Sequence, residues 1–241
     1  MPEDKSVLLR FVFSCLLTLA ACFTVSAQST IFNIPSTDVA DKKSLYIEAD
    51  FIAHFDKYEN GGFQTYGFRT VYGVGRKLEI GANYFYTRYS RGTAGAKEFQ
   101  PNIKYQIYGS EKKRIAVATG ALLFVPLNEA AGRRTFGMVY ANASKTFKRT
   151  GETRLTGGYY AVIGAERDSG TKQGAIFGVE QPITSKLRFT GDWFSGKNRF
   201  GYAAAGFDYT FDDHHYMQIG YNWGNTGRGN NALTALYGYT F

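Results

Sequence analysis

Thiol chemistry is nearly missing from this chain of 241 residues, because both of its cysteines, Cys15 and Cys22, fall within the first 27 positions. A chain cleaved after Ala27 keeps neither, which excludes disulfides, thiolate metal sites and cysteine nucleophiles. Proline is scarce, with five residues, and tryptophan scarcer, with two. After Ala27 no stretch approaches the roughly 18 consecutive apolar residues that mark a membrane-crossing helix, so any passage through a bilayer has to use strands. An acidic surplus is also lacking: 28 Lys plus Arg against 20 Asp plus Glu leave a net charge of +8. That balance suits an anionic surface. No nucleic-acid-binding motif accompanies it.

What is abundant points to sheet. The 28 glycines, 18 tyrosines and 20 phenylalanines favour many strands joined by turns, since aromatic and β-branched residues suit a pleated surface. Residues 1–27 have the form of a signal peptide: Lys5 and Arg10, an apolar stretch from Phe11 to Val25, then Val25-Ser26-Ala27 with small residues at the cleavage site. A second box, Leu19-Ala20-Ala21-Cys22, resembles that of a lipoprotein and would leave Cys22 as a lipidated first residue. The apolar run continuing through Phe23 to Val25 favours cleavage after Ala27. Residues 28–43, with Ile34-Pro35-Ser36-Thr37-Asp38, are expected as a periplasmic lead-in, and residues 44–241 as one strand-built domain.

Period-2 alternation dominates from residue 44 on. Leu45, Ile47, Ala49, Phe51, Ala53 and Phe55 share one face of the first strand, while Tyr46, Glu48, Asp50 and His54 share the other. In the fourth, Phe99, Ile103, Tyr105 and Ile107 alternate with Glu98, Gln100, Asn102, Lys104 and Gln106. A slip of one residue would turn Lys104 to lipid at roughly 2–4 kcal/mol near the bilayer midplane, so register is well specified. Similar runs cover 63–74, 78–89, 114–127, 135–147, 154–164, 173–183, 187–196, 200–211, 216–225 and 231–241, twelve in all. Weaker alternation between 114 and 183 leaves room for ten to fourteen. Even-numbered strands end in compact turns such as Gly75-Arg76-Lys77, and odd-numbered ones in mostly longer polar stretches such as 128–134. That parity matches the short periplasmic turns and longer extracellular loops of an all-β, antiparallel, up-and-down transmembrane barrel.

The end of the chain carries the most specific resemblance. Leu233, Ala235, Tyr237, Tyr239 and Phe241 alternate with Thr234, Leu236, Gly238 and Thr240, and the chain stops on the aromatic. This resembles the C-terminal strand of Gram-negative outer-membrane β-barrels, and Tyr237, Tyr239 and Phe241 are then the signal that the barrel assembly machinery reads. The resemblance implies location in the outer membrane, with lipid and lipopolysaccharide as neighbours. It implies nothing about activity.

The face expected to line the lumen carries Glu48, Asp50, His54, Arg69, Glu79, Glu98, Lys104, Arg154, Glu180, Arg188, Asp192 and Asp208. Ionisable groups are driven inward whatever the function, because hydrocarbon is costly for them. They either select solutes in an aqueous passage or tie the inner wall together as ion pairs. Inward Gly206, Gly220 and Gly238 leave room for water or receive neighbouring aromatics. Arg91, Arg133, Arg134, Arg167, Lys197, Arg199 and Arg228 are expected as a basic outer rim suited to phosphate. Asp212-Asp213-His214-His215 invites a metal reading, but adjacent strand residues point to opposite faces and converge poorly. Only three histidines exist, and no serine stands at a spacing that would complete a hydrolase site, so no enzyme and no cofactor is expected. The leading functional expectation is passive, porin-like permeation of small hydrophilic solutes, slightly cation-preferring inside. A closed structural or envelope-assembly barrel is the alternative, and a barrel hydrolase the third reading.

Overall fold

The structure, a computed structural model, describes residues 30–90, 92–227 and 231–241. The cleavage site after Ala27, Cys22, Arg91 and Arg228 lie outside these residues. Twelve strands follow the alternation read above: β1 Leu45–His54, β2 Phe63–Gly75, β3 Leu78–Arg88, β4 Ala96–Ser110, β5 Ile115–Pro126, β6 Phe136–Phe147, β7 Thr153–Ile163, β8 Gln173–Pro182, β9 Leu187–Phe194, β10 Tyr202–Thr210, β11 His215–Gly224 and β12 Ala232–Thr240. Each pairs antiparallel with its sequence neighbours, and β1 closes on β12 through pairs such as Ile47 with Tyr239 and Ala53 with Leu233. Closure leaves no strand edge to be satisfied, as a non-aqueous surround demands.

The two faces of the sheet differ as lipid and lumen require. Phe68 and Tyr72 of β2, Ile103 and Tyr105 of β4, and Ile219 and Trp223 of β11 point outward and are exposed on the bare chain. Outward charged groups in the strands sit only near their ends: Arg88 and Lys97 toward the outer rim, Lys145 and His215 toward the other. β4 contains a bulge between Gln106 and Tyr108, so Ile107 and Tyr108 both end up exposed. An extra residue in one strand produces this break in alternation without disturbing the rest of the ladder. Connections after odd strands span seven to nine residues, as at 127–135, and those after even strands two to five, from 76–77 to 148–152. The short side is periplasmic.

At the C-terminus the Phe241 N–H donates to the Leu45 carbonyl at 2.8 Å, and its ring meets Tyr239 edge-on at 4.5 Å. Deleting Phe241 removes the last contact of the closing seam. The folded, heat-modifiable fraction on a cold gel is expected to fall severalfold; unchanged assembly would argue against the terminal residue as an assembly signal.

One part of the sequence reading is corrected here. The lead-in is no periplasmic tail over residues 30–41: it runs up inside the barrel, with Ile31, Phe32, Ile34, Ser36, Thr37 and Ala40 all buried. The physical reason is that a twelve-stranded bore is too wide for its own wall side chains to fill, and apolar residues on a tethered segment supply the missing packing.

Candidate functional site

The interior divides into two halves. Along β5 to β9 the inward residues Phe124, Met138, Tyr140, Tyr160, Ile176 and Phe194 form an apolar cluster completed by Ile31 and Ile34 of the lead-in. Glycines on the wall make room for this segment. A Cβ at Gly178 would stand 2.7 Å from Ile31 Cδ1, and one at Gly220 would stand 2.6 Å from the Phe32 ring. Gly206 meets the same ring at 2.8 Å. So Gly206 and Gly220 receive an aromatic, and it comes from the lead-in.

Polar wall groups fasten the segment along its length. Asp192 of β9 accepts three consecutive backbone N–H groups, from Phe32 at 3.0 Å, Asn33 at 2.5 Å and Ile34 at 2.7 Å. The Ile31 carbonyl accepts from Gln218 at 2.7 Å and the Pro35 carbonyl from Asn142 at 2.6 Å. Farther down, Gln106 donates to the Thr37 carbonyl, Lys104 to the Asp38 carbonyl, and Glu79 accepts the Ala40 N–H at 2.7 Å. Asp38 itself is held in a fork by Arg154, at 2.5 and 2.8 Å. A buried backbone polar group needs such a partner, and here side chains supply them in place of a sheet ladder.

The twelve ionisable residues expected on the inner face all point inward, and most are paired. Arg69 bridges Glu48 at 3.2 Å and Asp50 at 2.8 Å; Lys104 meets Glu79 at 2.9 Å; Arg188 joins Glu180 at 3.1 Å and Asp208 at 2.9 Å, with Arg154 beside Glu180. Asp192 is instead matched by N–H dipoles. Two groups that composition did not assign to the lumen join the network: Asp38 from the lead-in and Arg199. The surplus of inner acids counted from strand periodicity is unchanged, because the acid added by the tethered segment and the base added by the loop cancel.

Arg199 is a correction to the basic rim. It sits in the β9–β10 loop, which folds inward, and its guanidinium makes a double hydrogen bond to Glu98 of β4 at 2.8 and 2.9 Å. Phe124, Phe136 and Phe200 surround the guanidinium at 5.1 to 5.6 Å from their centroids. A bar thus crosses the outer mouth. Arg133, Arg134, Arg167 and Lys197 stay exposed in outer loops. Outward-facing Arg88 and Lys97 lie diagonally on neighbouring strands near the same rim, and Arg88 is the one that the sequence left out of the basic rim.

Along β1 to β4 the bore is open. A cavity of about 780 Å³ begins among outer-loop residues Gly61, Ala131, Asn198 and Thr226, passes Glu98, Gln100, Asn83 and Asn102, and reaches Arg69, Lys104, Val71 and Tyr46. Tyr46 is the second residue of β1, so the cavity stops near the periplasmic end. The seal there is a small cluster of Ala40, Tyr46, Val71, Tyr216 and Leu236, with the two tyrosine hydroxyls and Glu48 hydrogen-bonded together.

The histidines do not converge. His54 donates from Nδ1 to the Asn231 carbonyl at 2.5 Å and stacks on Phe63. His214 bonds the Thr240 carbonyl and His215 the Tyr237 hydroxyl. Asp212 caps their turn, accepting the N–H groups of His214 and His215 at 2.9 and 2.8 Å, and these two bonds hold its carboxyl below the usual range. Among the described residues no cluster of three or more His, Cys, Asp or Glu is arranged to hold a metal.

No protein-family model matches the chain, and neither does any curated protein sequence. Solved structures match in shape. An outer membrane channel of Pseudomonas putida F1 is 11% identical over 85% of this chain and 97% of its own, with a TM-score of 0.50. Omp33 of Acinetobacter baumannii is 10% identical over 82% and 97%, with a TM-score of 0.48. Outer membrane phospholipase A of Escherichia coli is 11% identical over 85% and 94%, with a TM-score of 0.47. At such identities the likeness is one of fold. With a closed ladder, an apolar girdle, a polar interior and loops sorted by parity, this chain is a twelve-stranded β-barrel of the bacterial outer membrane.

Proposed function

We propose that the barrel is a narrow channel for small solutes, conducting along β1 to β4 and restricted by the lead-in. One observation carries this reading: the cavity of about 780 Å³ descends from the outer mouth almost to the periplasmic end, where the cluster around Tyr46 and Tyr216 closes it. A barrel with only a structural role has no need of a hollow wall. The cavity lining is mixed, with Glu98, Gln100, Asn102 and Lys104 of β4 beside Leu122 and Phe124 of β5, Met138 of β6 and Phe200 of the β9–β10 loop. Solutes with both polar and apolar parts fit such a lining better than purely hydrophilic ones. The scattered histidines, each engaged elsewhere, support permeation without chemistry. Lipopolysaccharide phosphate is proposed as the neighbour of Arg88 and Lys97, and the barrel assembly machinery as the reader of Tyr237, Tyr239 and Phe241.

Planar-bilayer recording of the full-length protein in asymmetric salt tests the channel. Small, interrupted unitary steps are expected. Glu98→Gln removes the acid from the mouth and leaves Arg199 as an unneutralised base, so the reversal potential should move toward anion preference. A folded protein that stays silent in both forms would overturn the reading in favour of a closed structural barrel.

A further inference from the structure

The lead-in is held in an unusual way for a segment buried so deeply. Among the described residues, 30–41 share no ladder with any strand, and their one β-bridge, Thr30 to Pro35, is internal. Wall side chains fasten the segment to the strands, reaching its backbone from Asp192, Gln218, Asn142, Gln106, Lys104 and Glu79. The wall closes on itself through β1 and β12, starting at Tyr46, after the segment has ended. Removing the segment would therefore break no bond of the barrel's own sheet. It leaves behind a row of aimed donors and acceptors and, at Gly206 and Gly220, an aromatic-sized socket.

We infer that the inner wall along β6 to β11 is a binding site for a peptide bent into a tight turn, and that the lead-in, whose Ile31 N–H donates to the Ile34 carbonyl at 2.9 Å, is its resident, exchangeable occupant. Recognition is of two kinds. Asp192, Gln218 and Asn142 read backbone N–H and C=O groups, which every peptide presents. The glycine socket reads one side chain, Phe32. Such a division between main-chain affinity and side-chain pockets is how sheets take up peptides in general, with side chains here in place of the strand edge. Residues Lys42 and Lys43 are exposed at the periplasmic turn, so the tether enters from that side. While attached it keeps the occupant at high local concentration, and a free peptide competes only once that link is cut.

The test uses the full-length folded protein with a site-specific protease sequence inserted between Lys42 and Lys43. After cleavage in detergent micelles, a fluorescent synthetic peptide of residues 28–42 is added, and bound label is read after gel filtration. Exchange of the cut segment for the labelled peptide is expected, with the barrel still heat-modifiable. A peptide carrying Phe32→Ala should bind on the order of a hundredfold more weakly, as loss of a socketed aromatic implies. A Gly220→Val barrel should discriminate less between the two peptides. Retention of the cut segment against excess peptide, equal binding of both peptides, or loss of the folded band on cutting would each overturn the inference. None of these readouts depends on conductance, so the channel reading stands or falls separately.

Discussion

Replacing Asp192 with alanine is expected to loosen the lead-in and open the bore while leaving the barrel closed. The carboxylate takes the N–H groups of Phe32, Asn33 and Ile34, and without it all three donors are buried and unpaired. Each such group costs about 1–3 kcal/mol, and three neighbours sharing one loss place the total on the order of 4 kcal/mol. At about 1.4 kcal/mol per factor of ten, protection of those three amides against hydrogen exchange should fall by roughly 10²–10³. Open-state conductance should rise in parallel, since the displaced segment frees the half of the lumen it now fills. The strand amides of β9 to β11 should keep their protection, because their ladder does not involve the lead-in. Asp192→Asn retains one acceptor of the same shape and should lose less. Unchanged protection of the three amides in Asp192→Ala would remove the carboxylate from its assigned role as the main fastening.

The fold was legible because lipid and water impose a strict alternation. From Leu45 to Phe55 and from Glu98 to Ile107, every second side chain is apolar, and a slip would expose Lys104 to hydrocarbon. Loop parity then oriented the barrel before any coordinate. The candidate site was less legible, for two physical reasons. Residues 30–41 are held by side chains reaching their backbone, an arrangement with no sequence period; Ile31, Phe32 and Ile34 read as a short apolar patch on a tail. Their signal was displaced to the wall, in the paired glycines Gly206 and Gly220 that face each other across β10 and β11. Arg199 was hidden differently: a loop base reads as solvated, and only the inward fold of residues 195–201 brings it to Glu98. Three phenylalanines around one guanidinium come from three separate segments, which no local pattern joins.

The ion pairs of the lower lumen set the largest expected change in stability. Arg188 lies between Glu180 of β8 and Asp208 of β10, and Asp208 is further fixed by Gln218 at 2.5 Å and Thr190 at 3.2 Å. Both acids are almost fully buried, so Arg188→Met takes away the cation they share and leaves Glu180 only Arg154 at 3.6 Å and Asp208 only neutral donors. Breaking a buried pair in this way costs about 3–5 kcal/mol, whereas replacing all its charged members together is often nearly neutral. Methionine retains much of the aliphatic length of arginine, which keeps the packing contribution small. Unfolding in urea, followed in lipid vesicles by loss of the heat-modifiable band, should show the single variant destabilised by that amount. The triple variant Arg188→Met, Glu180→Gln, Asp208→Asn should recover most of it. Near-wild-type behaviour of Arg188→Met alone would mean that water reaches these carboxylates, and that the bore is wet alongside the lower part of the lead-in as well.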